Sequence, residues 1–578
     1  MKAAKSFLLL VFIAGAVFAE HRFNIRKQEV RIPMRDGVQL GATLYRPEQE
    51  GRFPAIVFRT PYGKDQNSAA AEFALKSAKQ SYLAFLVDVR GRYSSDGSFE
   101  AYRNEKRDGY DTIEWIARFP QCNGKVGTYG RSYPGYVQWL ALSQAPPSLQ
   151  TAVPEMTPIH SHHFFYVGGA FTYSWFDWFA VNILPDLRRR AGDRSGPWEE
   201  TEAAQRWNAE KMKWYNYRPL RENPFLRKYA PYYYDWLTHP EKTGFWEFAS
   251  VEKDFPKIKS PVLLISGWYD NVYGTIGATE GFNKMRTEAG STEARENTRL
   301  ILGPWTHGTI SVQKTDIGIL DAGLSAGMDY QGILLTWFDR WLKGRPVEPL
   351  PAVSIFVMGD NRWRSETEWP LSRAHETSFY LHATKTLSIA RPGQEASNKY
   401  VFDPKQPIWD PSYEQSLPFD QKEIESRPDV LVYSSEPLTE DLEVSGQIVA
   451  ELFVTSSARD TDFSITLCDV FPDGKSVNLH SLDAGFLRMR YRNGFDKPEL
   501  IEPGKIYKIR IDTLYTSNLF QKGHRIRLQI SSSKTPHYDP NPNTGTDLAT
   551  ETRLIPATQT IYLDENHPSR LLLPVIRR

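Results

Sequence analysis

An α/β domain followed by an all-β domain is what this sequence predicts, and three observations carry that reading. Short apolar, β-prone runs alternate with helical patterns between about residues 54 and 154 and again from 261 to 342. That rhythm belongs to a mostly parallel sheet covered on both faces. A Gly-x-Ser-x-Gly turn, Gly130-Arg131-Ser132-Tyr133-Pro134-Gly135, sits where a strand should hand over to a helix. From about residue 350 the chain changes to short alternating runs separated by Pro, Gly and Asp, the pattern of a β-sandwich or jelly roll.

The elements follow in order. Residues 29–34 and 38–45 flank Arg35-Asp36-Gly37, and Asp-Gly between alternating runs predicts a hairpin. Residues 54–59 and 82–89 read as buried strands, and 107–117 as a helix leading to a strand at 125–129. Residues 136–142 continue the Ser132 turn as a helix. Residues 158–252 are aromatic and helix-compatible without clear strands, which predicts a helical insertion. Strands resume at 261–267 and 298–303, and a long amphipathic helix near 330–342 closes the domain. Runs at 444–454 and 525–530 typify the β-domain.

A chain of 578 residues exceeds one core. Its formal net charge of +1 supplies no electrostatic reason to expect nucleic acid or an acidic membrane as partner. Lys2 and Lys5 precede an apolar run from Phe7 to Ala19, with Val17 and Ala19 at the small-residue positions of a cleavage site. Residues 1–19 therefore read as a secretory signal, and a secreted or periplasmic protein with no membrane segment after cleavage is expected. Two cysteines, Cys122 and Cys468, exclude a disulfide framework. His160-Ser161-His162-His163 lacks a matching acid or cysteine cluster, so a pocket wall or a solvated loop is favoured over a metal. Asp460, Asp462, Asp469 and Asp473 read as turn residues rather than a calcium site. No metal and no cofactor is expected.

A serine hydroxyl at a strand-to-helix turn needs a base to take its proton, and the base needs a carboxylate to fix its tautomer. In the α/β-hydrolase order these follow as Ser, Asp, His at the carboxyl ends of successive strands. Asp270 directly follows the 261–267 strand region and His307 the 298–303 strand. The predicted architecture is thus an α/β-hydrolase domain in two parts (20–157 and 253–347), a helical cap (158–252) and a jelly-roll β-domain (348–578).

The same residues carry a resemblance. Gly130-x-Ser132-Tyr133-x-Gly135, Gly267-Trp268-Tyr269-Asp270 and Gly303-Pro304-Trp305-x-His307 resemble the CocE/NonD family of serine hydrolases. That family includes cocaine esterase-like enzymes, α-amino-acid ester hydrolases and the X-Pro dipeptidyl-peptidase group. Thr60-Pro61-Tyr62-Gly63-Lys64, the 88–94 segment Asp-Val-Arg-Gly-Arg-Tyr-Ser and Asn541-Pro542-Asn543-Thr544-Gly545 extend the likeness over nearly all of the chain after residue 19. The resemblance implies Ser132 as nucleophile, His307 as general base then acid, and Asp270 as the orienting carboxylate. It also implies an oxyanion hole made of the Tyr62 hydroxyl and the Tyr133 backbone N–H. It implies hydrolysis of an acyl ester, or less readily an amide, with small-molecule or short peptide-like substrates; self-association stays open.

One departure bears on substrate. Asp270 is followed by Asn271-Val272-Tyr273-Gly274, and the 163–169 segment also lacks an acid. A buried substrate ammonium without a carboxylate would be costly, which argues against α-amino ester specificity. An ester-cleaving reading with an aromatic pocket remains, lined by Trp175, Phe176, Trp178 and Phe179 of the cap together with Trp268 and Trp305. A dipeptide-releasing aminopeptidase is the alternative. A glycan-binding protein with a decayed hydrolase domain is the non-enzymatic one.

Overall fold

The computed structural model describes residues 24–308, 316–411, 417–481 and 484–577. The signal expected at 1–19 lies outside the described residues. The first sheet is ten-stranded and mixed. Its strands are β1 (Ile25–Pro33), β2 (Gln39–Pro47), β3 (Phe53–Thr60), β4 (Leu83–Asp88), β5 (Cys122–Arg131), β6 (Leu149–Glu155), β7 (Leu263–Tyr269), β8 (Arg299–Thr306), β9 (Val353–Val357) and β10 (Arg362–Glu366). They lie in the order β1-β2-β4-β3-β5-β6-β7-β8-β9-β10. The stretch from β4 to β9 is parallel, and antiparallel pairs close both edges.

The helices α1 (Ser68–Lys79), α2 (Glu105–Ala117), α3 (Tyr133–Leu142), α4 (Ile276–Glu288) and α5 (Tyr330–Lys343) cover this sheet. Successive residues of β5 show the two layers, because side chains alternate across a strand. A Cβ on Gly127 would lie 2.8 Å from Phe338 of α5, and Tyr129 packs on Phe73 of α1. Between them Thr128 bonds Gln138 of α3 at 3.0 Å.

Two sequence expectations change here. The alternating pattern predicts residues 353–366 in the β-domain, but as β9 and β10 they extend the first sheet through parallel pairing of β9 with β8. Alternating apolar residues cannot say which sheet a strand joins; the hydrogen-bond partner decides. The insertion is mainly helical yet contains one small hairpin, Tyr166–Val167 against Ala170–Phe171. This hairpin docks on the second domain. Arg488 N–H donates to the Gly168 carbonyl at 2.8 Å, and a Cβ on Gly168 would meet the Phe486 carbonyl at 1.9 Å.

The second domain is a sandwich of a seven-stranded and a five-stranded sheet, with Ile448, Leu452, Phe463, Ile465 and Leu467 among its core residues. Asp460 and Asp462, expected in turns, are instead buried ion-pair partners. Arg488 grips Asp462 through Nε and Nη2 at 2.9 and 2.8 Å, and Arg490 Nε reaches Asp460 at 2.7 Å. The Asn541 amide donates to both aspartates at 2.9 Å. Asp539 then receives Arg218 of the cap at 2.5 Å, joining cap and sandwich. Asp469 likewise pairs with His524 at 2.8 Å. Charges removed from water persist only when paired and hydrogen-bonded, so this Asn-Pro-Asn-Thr-Gly segment does structural work.

Cys122 and Cys468 are both free and buried. His160 bridges Glu252 and Glu280 at 2.5 and 2.6 Å, and this contact raises its pKa despite the opposing effect of burial. His162 Nε2 donates to the Pro240 carbonyl at 2.7 Å, and the ring stacks on Tyr166. Glu155 ends β6 beneath the Ser132 turn, fully buried, and the Tyr330 hydroxyl of α5 donates to it. Burial pushes its carboxyl up to about 7, against the opposing charge of Arg131.

Two outcomes follow from these buried charges. Arg488→Ala leaves Asp462 unpaired and should destabilise the protein by about 3–5 kcal/mol, read as a lower urea midpoint with the same slope. For Glu155 the folded state holds its proton to higher pH than the unfolded chain. Its contribution is therefore most favourable below the ordinary glutamate pKa and is lost as pH rises toward about 7. Glu155→Gln should raise stability at pH 8, by of the order of 3 kcal/mol, and flatten the decline between pH 5 and 8. An unchanged unfolding midpoint across that range would refute this assignment.

Candidate active site

Ser132 stands between the end of β5 and the start of α3 with φ 65° and ψ −129°. This backbone region is unfavourable for a residue with a side chain, so neighbours must hold it. Ser132 N–H donates to the Glu155 carbonyl at 3.0 Å, and its own carbonyl receives Gly135 and Tyr136 N–H at 2.9 and 2.8 Å. The glycines are sterically required. A Cβ at Gly130 would lie 2.7 Å from Pro134 Cβ, and one at Gly135 2.7 Å from the Glu155 carbonyl.

Tyr133, as the first residue of α3, has no intrahelical acceptor for its N–H. Its side chain is fixed well below the surface. The phenol donates to Glu105 at 2.9 Å and accepts from Tyr102 N–H at 3.1 Å, and its ring stacks on Tyr102. Glu105 is in turn paired with buried Arg59 at 2.6 Å. The side chain thus anchors a backbone donor beside the serine.

β7 and β8 deliver the other two residues. Asp270 is completely buried, and His307 Nδ1 donates to its Oδ1 at 2.8 Å. The same oxygen accepts the N–H of Val272 and Tyr273 at 3.1 and 3.4 Å. With Nδ1 protonated for this bond, Nε2 of the neutral ring is the free acceptor. Gly267 lets the two strands approach: a Cβ there would lie 2.1 Å from the Trp305 carbonyl. Tyr273, which the sequence reading treated only as a missing acid, packs edge-on against His307 and brings its hydroxyl to 3.5 Å from Ser132 Oγ.

Tyr62 lies on the loop after β3. Trp178 Nε1 donates to its hydroxyl at 3.0 Å, and that hydroxyl also reaches Ser132. An indole N–H can only donate, so the phenol oxygen accepts and keeps its own proton for another partner. Burial raises the Tyr62 pKa, which holds it as a phenol. Two residues position this loop. Fully buried Arg92 donates to the Pro61, Ile183 and Asn182 carbonyls at 2.7, 2.7 and 2.9 Å, bridging loop and cap. Asp88 accepts Lys64 N–H at 2.7 Å and the Ser94 hydroxyl at 2.7 Å. These roles explain why the 60–64 and 88–94 segments belong together.

Two cavities meet at Ser132, and both also contact Tyr62 and His307. The one under the cap is about 480 Å³, with Phe164, Trp175, Trp178 and Tyr273 in its wall. The other, between α1 and the elbow, is about 430 Å³, with Phe58, Phe73, Tyr129 and Pro134. Of the aromatics expected to line a pocket, Trp175 and Trp178 do so. Trp268 and Trp305 do not line either cavity: their indoles donate to the carbonyls of Phe356 at 2.9 Å and Ala326 at 3.1 Å, deep in the fold. They belong to β7 and β8, whose alternation turns them into the packed layers. Phe176 and Phe179 are also core residues, packed on Tyr233 and Trp236 respectively.

Comparison with known proteins shows the family of this chain. Residues 36–309 match the X-Pro dipeptidyl-peptidase (S15 family) profile. Residues 346–572 match the X-Pro dipeptidyl-peptidase C-terminal non-catalytic domain. The chain is 34% identical to the cocaine esterase of Rhodococcus sp. (strain MB1 Bresler), over 95% of this chain and 98% of that protein. Among solved structures, an aminopeptidase from a marine sediment Thaumarchaeota archaeon superposes with a TM-score of 0.80 at 25% identity, covering 99% of both chains. An α-amino acid ester hydrolase superposes at 0.78 with 26% identity, covering 99% of this chain and 100% of the other. With a hydrolase sheet, a β-sandwich and a relative this similar over its whole length, the chain belongs to the CocE/NonD family of serine hydrolases.

Proposed function

We propose that this protein cleaves acyl esters through a covalent acyl-enzyme, with Ser132 as nucleophile and His307 and Asp270 as its base and orienting acid. The observation that carries the reading is the Nδ1–Oδ1 bond of 2.8 Å between His307 and buried Asp270, beside a serine on a strained turn. Ser132 Oγ attacks the carbonyl carbon while its proton passes to His307 Nε2. The collapsing tetrahedral adduct expels the alcohol, which takes that proton. Water then repeats the sequence, regenerating Ser132 and releasing the acid. Donors aimed at the developing oxyanion supply much of the rate. The Tyr62 hydroxyl and the Tyr133 N–H fill that role. The apolar run at residues 7–19 supports export.

A second reading, cleavage next to a substrate amino group, draws on the similarity to an aminopeptidase and an α-amino acid ester hydrolase. Asp177 is the acid in the wall of the cap-side cavity. Its oxygens accept the Trp207 indole and the Tyr215 hydroxyl, and burial raises its pKa, which disfavours the charged form an ammonium would need and keeps the neutral ester first.

A fluorophosphonate probe should label Ser132, and Ser132→Ala should abolish labelling; equal labelling of that variant would remove the assignment. Tyr62→Phe should lower kcat by about 10²–10³-fold with a smaller change in KM. An unchanged kcat would take Tyr62 out of the oxyanion hole. 4-Nitrophenyl butyrate should be turned over faster than alanine 4-nitrophenyl ester or an Ala-Pro anilide, and a clear preference for the anilide would reverse the ranking of the two readings.

A further inference from the structure

The cavity on the α1 side has a charge that the proposed chemistry does not use. Arg131, the residue between Gly130 and Ser132, forms part of its wall. Among the described residues its guanidinium makes no hydrogen bond and no ion pair, and its Nη1 is buried without an acceptor. A guanidinium carries five N–H donors and cannot give up its charge. Nearby, the Tyr129 hydroxyl is also buried without an acceptor. Two donor groups in one wall therefore lack partners, in a cavity that Ser132 itself lines.

The carboxylates around this cavity do not fill the gap. Glu155 lies behind the wall and takes the Tyr330 hydroxyl; its charge is felt by Arg131 but no ion pair forms. Glu72 lies at the exposed rim and accepts the Gln331 amide at 3.3 Å. The cap-side cavity is the reverse case, since its charge-bearing group is an acid, Asp177, whose two oxygens each accept a neutral donor. One side of the serine thus carries a half-buried guanidinium with no ion-pair partner among the described residues, and the other a carboxyl held by neutral donors. Arg is suited to planar, bidentate carboxylate recognition.

We propose that Arg131 binds a carboxylate of the substrate, so that the preferred ester carries an acid group in the α1-side cavity. This rests on the hydrolase reading above. The carboxylate can belong to the acyl part, as in a half-ester of a dicarboxylic acid, or to the leaving group, as in an ester of a hydroxy acid.

Paired substrates separate these sources. In the acyl arm, 4-nitrophenyl hemiglutarate is compared with the neutral 4-nitrophenyl ester of glutaramic acid. In the leaving-group arm, 3-carboxyphenyl butyrate is compared with 3-carbamoylphenyl butyrate. One arm should show kcat/KM for the acid about tenfold or more above that of its amide. Arg131→Gln should bring that ratio near one, whatever the absolute rates, and Arg131→Lys should restore part of it. Acid-to-amide ratios near or below one in both arms, or a ratio unaltered in Arg131→Gln, would overturn the proposal. Titration of Ser132→Ala with glutarate, 3-hydroxybenzoate and their amides tests the site without turnover. Tighter binding of an acid than its amide supports Arg131 even if Ser132 chemistry fails. Equal binding of every pair counts against it even if neutral esters are hydrolysed.

Discussion

The hydrogen bond from Ser132 N–H to the Glu155 carbonyl is the contact on which the rest of the site depends. It holds a serine at positive φ where β5 meets α3, and a residue with a side chain stays there only if its surroundings leave no alternative. Gly130 and Gly135 remove the Cβ atoms that would block the turn, and the α3 backbone closes over the Ser132 carbonyl. The side chain of Glu155, whose backbone supplies that carbonyl, places a carboxyl in a dry interior, where burial raises its pKa to about 7.

Around this turn the fold uses buried charges as pins. Arg92 ties the Tyr62 loop to the cap, Asp88 ties that loop to the segment carrying Arg92, and the Arg59–Glu105 pair fixes Tyr133. The same device joins the cap to the sandwich through Arg218, Asp539, Arg488 and Asp462. A buried pair adds little net stability compared with apolar packing, but removing one partner is severe. Such pairs therefore suit loops that must keep one geometry rather than loops that must simply stay folded. The sandwich in this view is a wall for the cap, and its Asn541 motif is a clamp on that wall.

Much of the site was readable from the chain because strand ends are local features. A glycine-flanked serine after a β-prone run, and an Asp and a His directly after two later runs, point to one edge of a parallel sheet whatever the surrounding detail. The aromatic pocket was not readable in this way. Trp175, Phe176, Trp178 and Phe179 are nearly consecutive, yet only the two tryptophans meet the cavity, and Trp268 and Trp305 turn into the packed layers. Tyr273 carries no local signal, because it reaches Ser132 and His307 only across space.

The sequence by itself determined the order of the elements, the glycine-flanked Ser132 turn and the residues at three strand ends, since backbone sterics and periodicity over a few residues encode these. Only the tertiary structure decided that β9 and β10 join the first sheet, that Asp460 and Asp462 meet buried arginines, and that Arg131 is left with unmatched donors beside Ser132. Each of those depends on which distant groups share a low-dielectric interior, and a pairing between residues far apart in the chain leaves no local signal in the sequence.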